Sequence, residues 1–538
     1  MKNTNLFILL VILFIFSCQN KKEIEVYKYN ESKNGIVSSG HPLASKAGIK
    51  MIQMGGNAFD AAVATAFALS VVEPSMSGIG GRMQVIFRIP NGEIRGIDAS
   101  TQVPKSYDSK THVNSSYGYS TIGIPGVVAG LIKLNKEYGK LSLKTVMEPA
   151  IQYAEKGFYI LPGEAQRHAY VESIIKEFKG TKKYFINKTG KTYIKGDLFI
   201  QKDLSNTLKE VSKNGHKGFY EGEVANKIVE DMTNNGGLLS LEDLKNYKAE
   251  ESKILLGKYR GFDISALYLP SYGAITIEIL NILDNIDIAN LSNSKWVELI
   301  SKVSEIAYKD RSIQSNIDSL NKIISIEYAK SQANKILESK EILTNHNKLN
   351  GEWVATIGHT SHLTTADKNG NVVSLTQTIG PLMGSKVASE GLGFLYAVTL
   401  GGYLGNYKPG DRANSHISPT ILSKNNDFYF ALGAAGGARI ITAITQVISN
   451  VIDKNMNLLD ALSVGRIYPN KDTIEIENHN GIKWNNNFEK NLNNLNIKYK
   501  LILTAGRFGR VHAVKYDTLT KSFIGAADPD WEGSVEVY

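Results

Sequence analysis

Apolar residues recur at helical spacing over 44–54, and the run stops at Gly55-Gly56. Asn57 caps a second helix over 58–72, rich in alanine and closed by Glu73-Pro74. The tight loop Ser77-Gly78-Ile79-Gly80-Gly81 leads into a strand over 83–88. Further helices are predicted up to Gly139, over 143–156 with Gly157 just past the end, over 274–283 and over 296–311. Residues 160–235 are rich in lysine and read as helical hairpins, and a strand is predicted over 259–267. Residues 312–356 are polar and rich in Asn and Lys, so they read as a flexible approach with one helix near 326–338. Two strand-like runs, 364–367 and 372–378, flank Asp367-Lys368-Asn369-Gly370, a hairpin turn in which Gly370 is free to take a positive φ. After a loop over 408–420 come a strand over 428–433 and a helix over 440–451, opened by Gly436-Gly437. No internal repeat or low-complexity tract breaks the pattern.

Antiparallel pairing of the two late runs places Thr360, just ahead of the first, beside Thr378, at the end of the second. On composition alone such a Thr-rich hairpin is only a hairpin. The turn carries oxygen ligands, yet it lacks the glycine and glutamate spacing of a calcium loop. The glycine loop at 77–81 follows a helix and precedes a strand, the reverse of a nucleotide-binding loop.

With 538 residues, 42% hydrophobic and 21% charged, the chain has globular composition. Its net charge of +9 is thinly spread, which excludes a nucleic-acid partner as the main reading. One cysteine, Cys18, excludes an internal disulfide and a cysteine metal cluster. It follows a short apolar run over 6–16, too short to span a membrane and suited to a secretion signal. Ile15-Phe16-Ser17-Cys18 looks like a bacterial lipobox, so cleavage before Cys18 and a lipid on its sulfur are expected. A plain signal peptide with an incidental cysteine is the alternative. The chain is expected in the cell envelope, membrane-anchored and facing the periplasm or exterior.

His359-Thr360-Ser361-His362-Leu363, the following D-x-x-G-N turn and Ser374-Leu375-Thr376-Gln377-Thr378 resemble the processing site of the gamma-glutamyltranspeptidase family. So do the G-G-N-A-x-D-A-A-V-A-T, V-V-E-P and S-G-I-G-G blocks within 55–81, Gly436-Gly437-Ala438-Arg439-Ile440, and the closing Asp528-Pro529 with Gly533. The resemblance runs from about residue 35 to the end and is weakest over 160–235 and 312–356. It implies an α/β chain with the four-layer αββα N-terminal-nucleophile hydrolase fold, two subunits from one self-cleaved precursor. Residues 1–17 would be the signal peptide, 18–34 a tether, 35–359 the large subunit and 360–538 the small one. The scissile bond would be His359–Thr360, Thr360 the nucleophile and Thr378 its hydrogen-bonding support. A new N-terminal threonine carries its own base, since an α-amino group titrates near 7.7–8.0. Gly436 and Gly437 would offer backbone N–H groups to the oxyanion at a helix entry. A small-molecule amide or peptide would be the acyl donor and water or an amine the acceptor, with no cofactor and no metal.

The family's head-group residues are altered. Ser100 stands where the family has an arginine, Gly402 where it has an aspartate, Gly380 where it has an asparagine, and Ser415-His416 where it has two serines. Arg82, Lys386, Arg412 and His416 are the candidate replacements. The expected function is an autoprocessing amidohydrolase or acyltransferase for gamma-glutamyl or related amides. The alternatives are an acylase for another amide, or an inactive surface-binding lipoprotein.

Overall fold

Two seven-stranded antiparallel sheets lie face to face. The computed structural model describes residues 25–112, 115–338, 359–402, 405–470, 472–479, 481–482 and 484–538. The expected signal peptide over 1–17, Cys18 and residues 339–358 lie outside the described residues. In chain order the strands are β1 (Tyr29–Ser32), β2 (Gly35–Ser39), β3 (Arg82–Arg88), β4 (Ile94–Ala99), β5 (Glu250–Glu251), β6 (Ile254–Tyr259) and β7 (Phe262–Leu267). They continue with β8 (Ser361–Asp367), β9 (Val372–Thr378), β10 (Thr420–Lys424), β11 (Asp427–Ala435), β12 (Arg510–Asp517), β13 (Ser522–Ala527) and β14 (Ser534–Val537). One sheet runs β14-β2-β8-β9-β3-β4-β5 and the other β1-β13-β12-β11-β10-β7-β6.

Helices α1 (Pro42–Gln53), α2 (Ala58–Val72) and α3 (Val127–Tyr138) pack on the outer face of the first sheet, and α4 (Leu143–Lys156) packs against α2. Helices α5 (Gly273–Leu283) and α8 (Ile440–Ile452) pack on the second sheet, and α6 (Asn293–Asp310) and α7 (Ile326–Glu338) pack against α5. A separate apolar layer, including Ile36, Ile86, Ile421 and Val514, fills the space between the sheets. This is the four-layer αββα order that the family resemblance implies.

Local chemistry explains the centre. Every residue of α2 is buried, which suits a helix apolar all round and covered on all sides. Asn57 and Asp60 form a capping box at its start. Asp367, at the turn of the β8–β9 hairpin, accepts the Ala58 N–H at 2.8 Å. The hairpin is thereby fastened to the helix beneath it. Gly370 takes a φ of 86° in the turn, as expected.

Several expectations are corrected. The strand over 259–267 is a hairpin, because Arg260 and Gly261 both adopt positive φ and turn β6 into β7. Strand β11 runs on through Ala435, and one 3-10 turn, Gly437–Arg439, precedes α8. Tyr29–Ser32, expected within a tether over 18–34, instead form β1 and pair with β13. The flexible approach over 312–356 contains a second helix, Ile317–Ile323, besides α7.

Candidate active site

Ser361 pairs with Gln377 in the β8–β9 ladder, so Thr360 and Thr378 face each other one step further on. The Thr360 hydroxyl donates to Thr378 Oγ1 at 2.9 Å. Gly380, at a φ of 88°, donates its N–H to the same oxygen at 3.0 Å. Thr360 is buried and holds a φ of 104°, a strained value for a β-branched residue. The same strand face continues as a polar ladder into the sandwich. His362 Nδ1 meets Thr376 Oγ1 at 2.8 Å, and Thr364 donates to the His512 carbonyl at 3.1 Å. Burial pushes the His362 imidazole down to about 3, so it is neutral. Neither His362 nor Thr376 carries a sequence signal for this role beyond its place in alternation with Thr360.

The loop between β11 and α8 closes the other side. The Gly436 N–H donates to the His359 carbonyl oxygen at 3.1 Å. Gly436 has a φ of 153° and Gly437 a φ of 59°. A Cβ on Gly437 would come within 2.9 Å of the His359 ring, and one on Gly436 within 2.7 Å of Gly509 Cα. Only glycine fits this approach. A backbone donor thus already touches the carbonyl oxygen ahead of Thr360, and a hydroxyl lies one residue away. Such a pair can attack an acyl carbon and hold the oxyanion that forms.

Positive charge surrounds the site. Burial pushes the His359 imidazole down to about 3, helped by Lys386, Arg82, Arg439 and Arg510. Burial also pushes the Lys386 ammonium down to about 7. The four candidate replacements for the missing head-group arginine are each engaged elsewhere. Arg82 donates to the carbonyls of Asn414 and Val398, and Lys386 to those of Leu382 and Gly384. Arg412 donates to Tyr247 Oη at 2.7 Å and pairs with Glu250 at 3.1 Å. His416 accepts from Arg311 at 2.8 Å, and burial with that guanidinium keeps its imidazole neutral. His416 therefore supplies no cation.

Of the altered head-group positions, Gly380 lies at the threonine pair, while Ser100, Gly402 and Ser415 have surroundings of their own. Ser100 is buried and accepts from Gln84 Nε2 at 2.8 Å. Gly402 lies in an exposed turn at a φ of 74°. Ser415 donates its N–H to the Pro270 carbonyl at 2.8 Å. Among the described residues, one group has metal-ligand chemistry: Glu477, His479 and Asp530, whose ligand atoms lie within 4.8 Å. Arg466 pairs with Glu477 at 2.8 Å, and His479 Nε2 lies 3.2 Å from both carboxylates. A charged imidazole between two carboxylates already balances that group.

The profile of the family described as Gamma-glutamyltranspeptidase matches residues 44–538. The glutathione hydrolase proenzyme of Pseudomonas sp. (strain A14) is 31% identical over 476 residues, covering 81% of this chain and 82% of that protein. The acylase ACY 1 proenzyme of Pseudomonas sp. (strain SE83) is 30% identical over 498 residues, covering 86% of each. The crystal structure of cephalosporin acylase from Bacillus halodurans superposes with a TM-score of 0.87 at 26% identity, covering 97% of this chain and 99% of that one.

Proposed function

This chain belongs to the gamma-glutamyltranspeptidase family, and we propose that it is an amidohydrolase or acyltransferase that cuts itself between His359 and Thr360. In the cut, Thr360 Oγ attacks the His359 carbonyl carbon, the backbone nitrogen leaves as the new α-amino group, and water hydrolyses the resulting ester. In turnover the α-amino group takes the Thr360 hydroxyl proton, Oγ bonds to the acyl carbon, and the departing amine takes the proton. Water or an amine then accepts the acyl group. Thr378 orients the nucleophile, and the N–H groups of Gly436 and Gly437 receive the oxyanion.

The observation that carries this reading is the Gly436 N–H on the His359 carbonyl beside a strained Thr360. The purified protein should run as two fragments, the smaller beginning at Thr360. Any other N-terminus would refute the assignment.

A second reading concerns the acyl group. Ser100 and Gly402 replace a charge pair, and the nearby cations are already engaged. Losing one partner of a buried charge costs about 3–5 kcal/mol. This favours an acyl donor without the α-amino group, in line with the acylase relatives. A panel of gamma-glutamyl anilide, glutathione and simple acyl anilides decides it. Turnover of glutathione with kcat/KM of about 10⁴ M⁻¹s⁻¹ or more would overturn it.

We further propose that the protein is a lipoprotein held to a membrane through Cys18, with residues 1–17 removed and the two subunits meeting at 359 and 360. The apolar run over 6–16 and the cysteine behind it support this. Cys18→Ala should release the protein from the membrane fraction or stall its maturation.

A further inference from the structure

A buried carboxylate lies directly under the nucleophile strand, and the proposed chemistry does not use it. Glu73 caps the C-terminal end of α2 and is fully buried. Its Oε2 accepts from the Ser361 hydroxyl at 2.7 Å, and Ser361 accepts in turn from Ser77 at 3.0 Å. Its Oε1 has no hydrogen bond. That oxygen faces two guanidiniums, Arg167 at 3.5 Å and Arg510 at 4.0 Å. Arg510 reaches the Thr360 carbonyl oxygen at 3.5 Å with its other nitrogen. Trp531 lies between the two arginines, 4.5 Å from one and 4.3 Å from the other. A Cβ on Gly40 would come within 2.7 Å of Glu73 Oε2, so the carboxylate is tightly enclosed.

We propose that Glu73 and Arg510 are positioning residues that clamp Thr360 from below and set the basicity of its α-amino group. The proposal rests on Thr360 being the nucleophile. Ser361 and the Thr360 carbonyl are two points at which the start of β8 is held from this side, one by Glu73 and the other by Arg510. The pair also places one negative and one positive charge beside the nucleophile in a medium where charges act strongly.

Other charged groups face this place. Arg82 on β3, Lys386 in the loop after β9 and Arg439 before α8 all bear on His359, the neighbouring residue. Glu164, Arg167 and Arg510 face Glu73, and Glu532 faces both arginines. His359 and His416 are neutral. Glu73 thus places a carboxylate in a cationic setting, one residue from Thr360 through Ser361. Burial pushes its carboxyl up, while the two arginines hold it toward the anion.

Removing the anion makes the α-amino group less basic, and removing the cation makes it more basic. In Glu73→Gln the acid limb of kcat/KM should move down by about one pH unit, with kcat lowered and KM unchanged. In Arg510→Gln it should move up, and Arg510→Lys should restore it. The substrate is whichever anilide the wild type turns over. The pH dependence of trinitrobenzenesulfonate labelling of Thr360, read by mass spectrometry, gives the same shift without turnover. Should Glu73→Gln fail to mature, the two Arg510 variants decide alone. An acid limb and labelling profile unmoved in the Gln variants would reduce the pair to packing and overturn the proposal. A wild type that stays one chain would instead refute the Thr360 reading itself.

Discussion

A threonine at a φ of 104° crowds its branched Cβ against the backbone. Such conformations cost about 1–3 kcal/mol and persist only where the surroundings impose them. Here Gly436 holds the carbonyl on one side and Thr378 the hydroxyl on the other. Breaking the His359–Thr360 bond frees that dihedral, so relief of strain favours cleavage. Thr360→Ala should remain a single chain on a denaturing gel and hydrolyse no amide. Gly436→Ala should slow both self-cleavage and turnover by about 10²–10³, because the added Cβ displaces the oxyanion donor. Gel densitometry against time measures the first and initial rates the second. The meeting of Thr360 and Thr378 was legible because hairpin register fixes it, and the glycine pair stood out by its motif at a helix entry. The fate of Arg82, Lys386, Arg412 and His416 was not legible. Arg82, Arg412 and His416 depend on partners far away in sequence, such as Asn414 against Arg82 and Arg311 against His416, and Lys386 depends on the fold of its own loop, whose Leu382 and Gly384 carbonyls it meets.

Elements inherit their precision from their ends. Helix α2 was legible to its bounds because Asn57 and Asp60 form a capping signal and the run between is apolar throughout. Strand β8 begins at Ser361, ahead of the run over 364–367 that the sequence marks, since His362 and Ser361 are poor strand signals until the opposite strand and α2 supply their partners. The β6–β7 turn was missed because an arginine at a φ of 50° is no turn signal. The link from Asp367 to the first turn of α2 joins hairpin to helix, and its loss leaves a buried N–H unpaired. Asp367→Ala, placed in the uncut Thr360→Ala chain, should lower stability by about 2 kcal/mol. A fall in the urea midpoint with unchanged slope measures it. A second fastening joins the loop after Thr473–Glu477 to the C-terminal turn. Donating to the Asp530 and Glu477 carboxylates pushes the His479 imidazole up to about 10. A raised pKa means that this contribution is complete below the ordinary value near 6.5 and is lost as pH rises toward 10. The urea midpoint should decline across that window, and His479→Gln should flatten the decline.

At the scale of the molecule, the proposed cut divides the chain without dividing the fold. Strands β8 and β9, beyond Thr360, lie between β2 and β3, which precede it. Strand β14 adds to the outer side of β2. In the other sheet β1 pairs with β13 and β7 with β10, again across the cut. The two fragments therefore share both sheets and the apolar layer between them. They should migrate as one species on a sizing column and separate only in denaturant. Refolding is where the cut matters. In the uncut chain β2 and β8 meet by closing a long loop, whose entropic cost grows only slowly with length. In the cut protein they must meet as separate molecules, so recovery depends on concentration. The Thr360→Ala chain diluted from urea should regain its far-ultraviolet circular dichroism with a rate independent of concentration. The mature protein should regain it more slowly, with a yield that rises with protein concentration while aggregation is absent. Equal, concentration-independent recovery of both would mean that one fragment folds by itself and that the interleaved strands are not what holds the halves together.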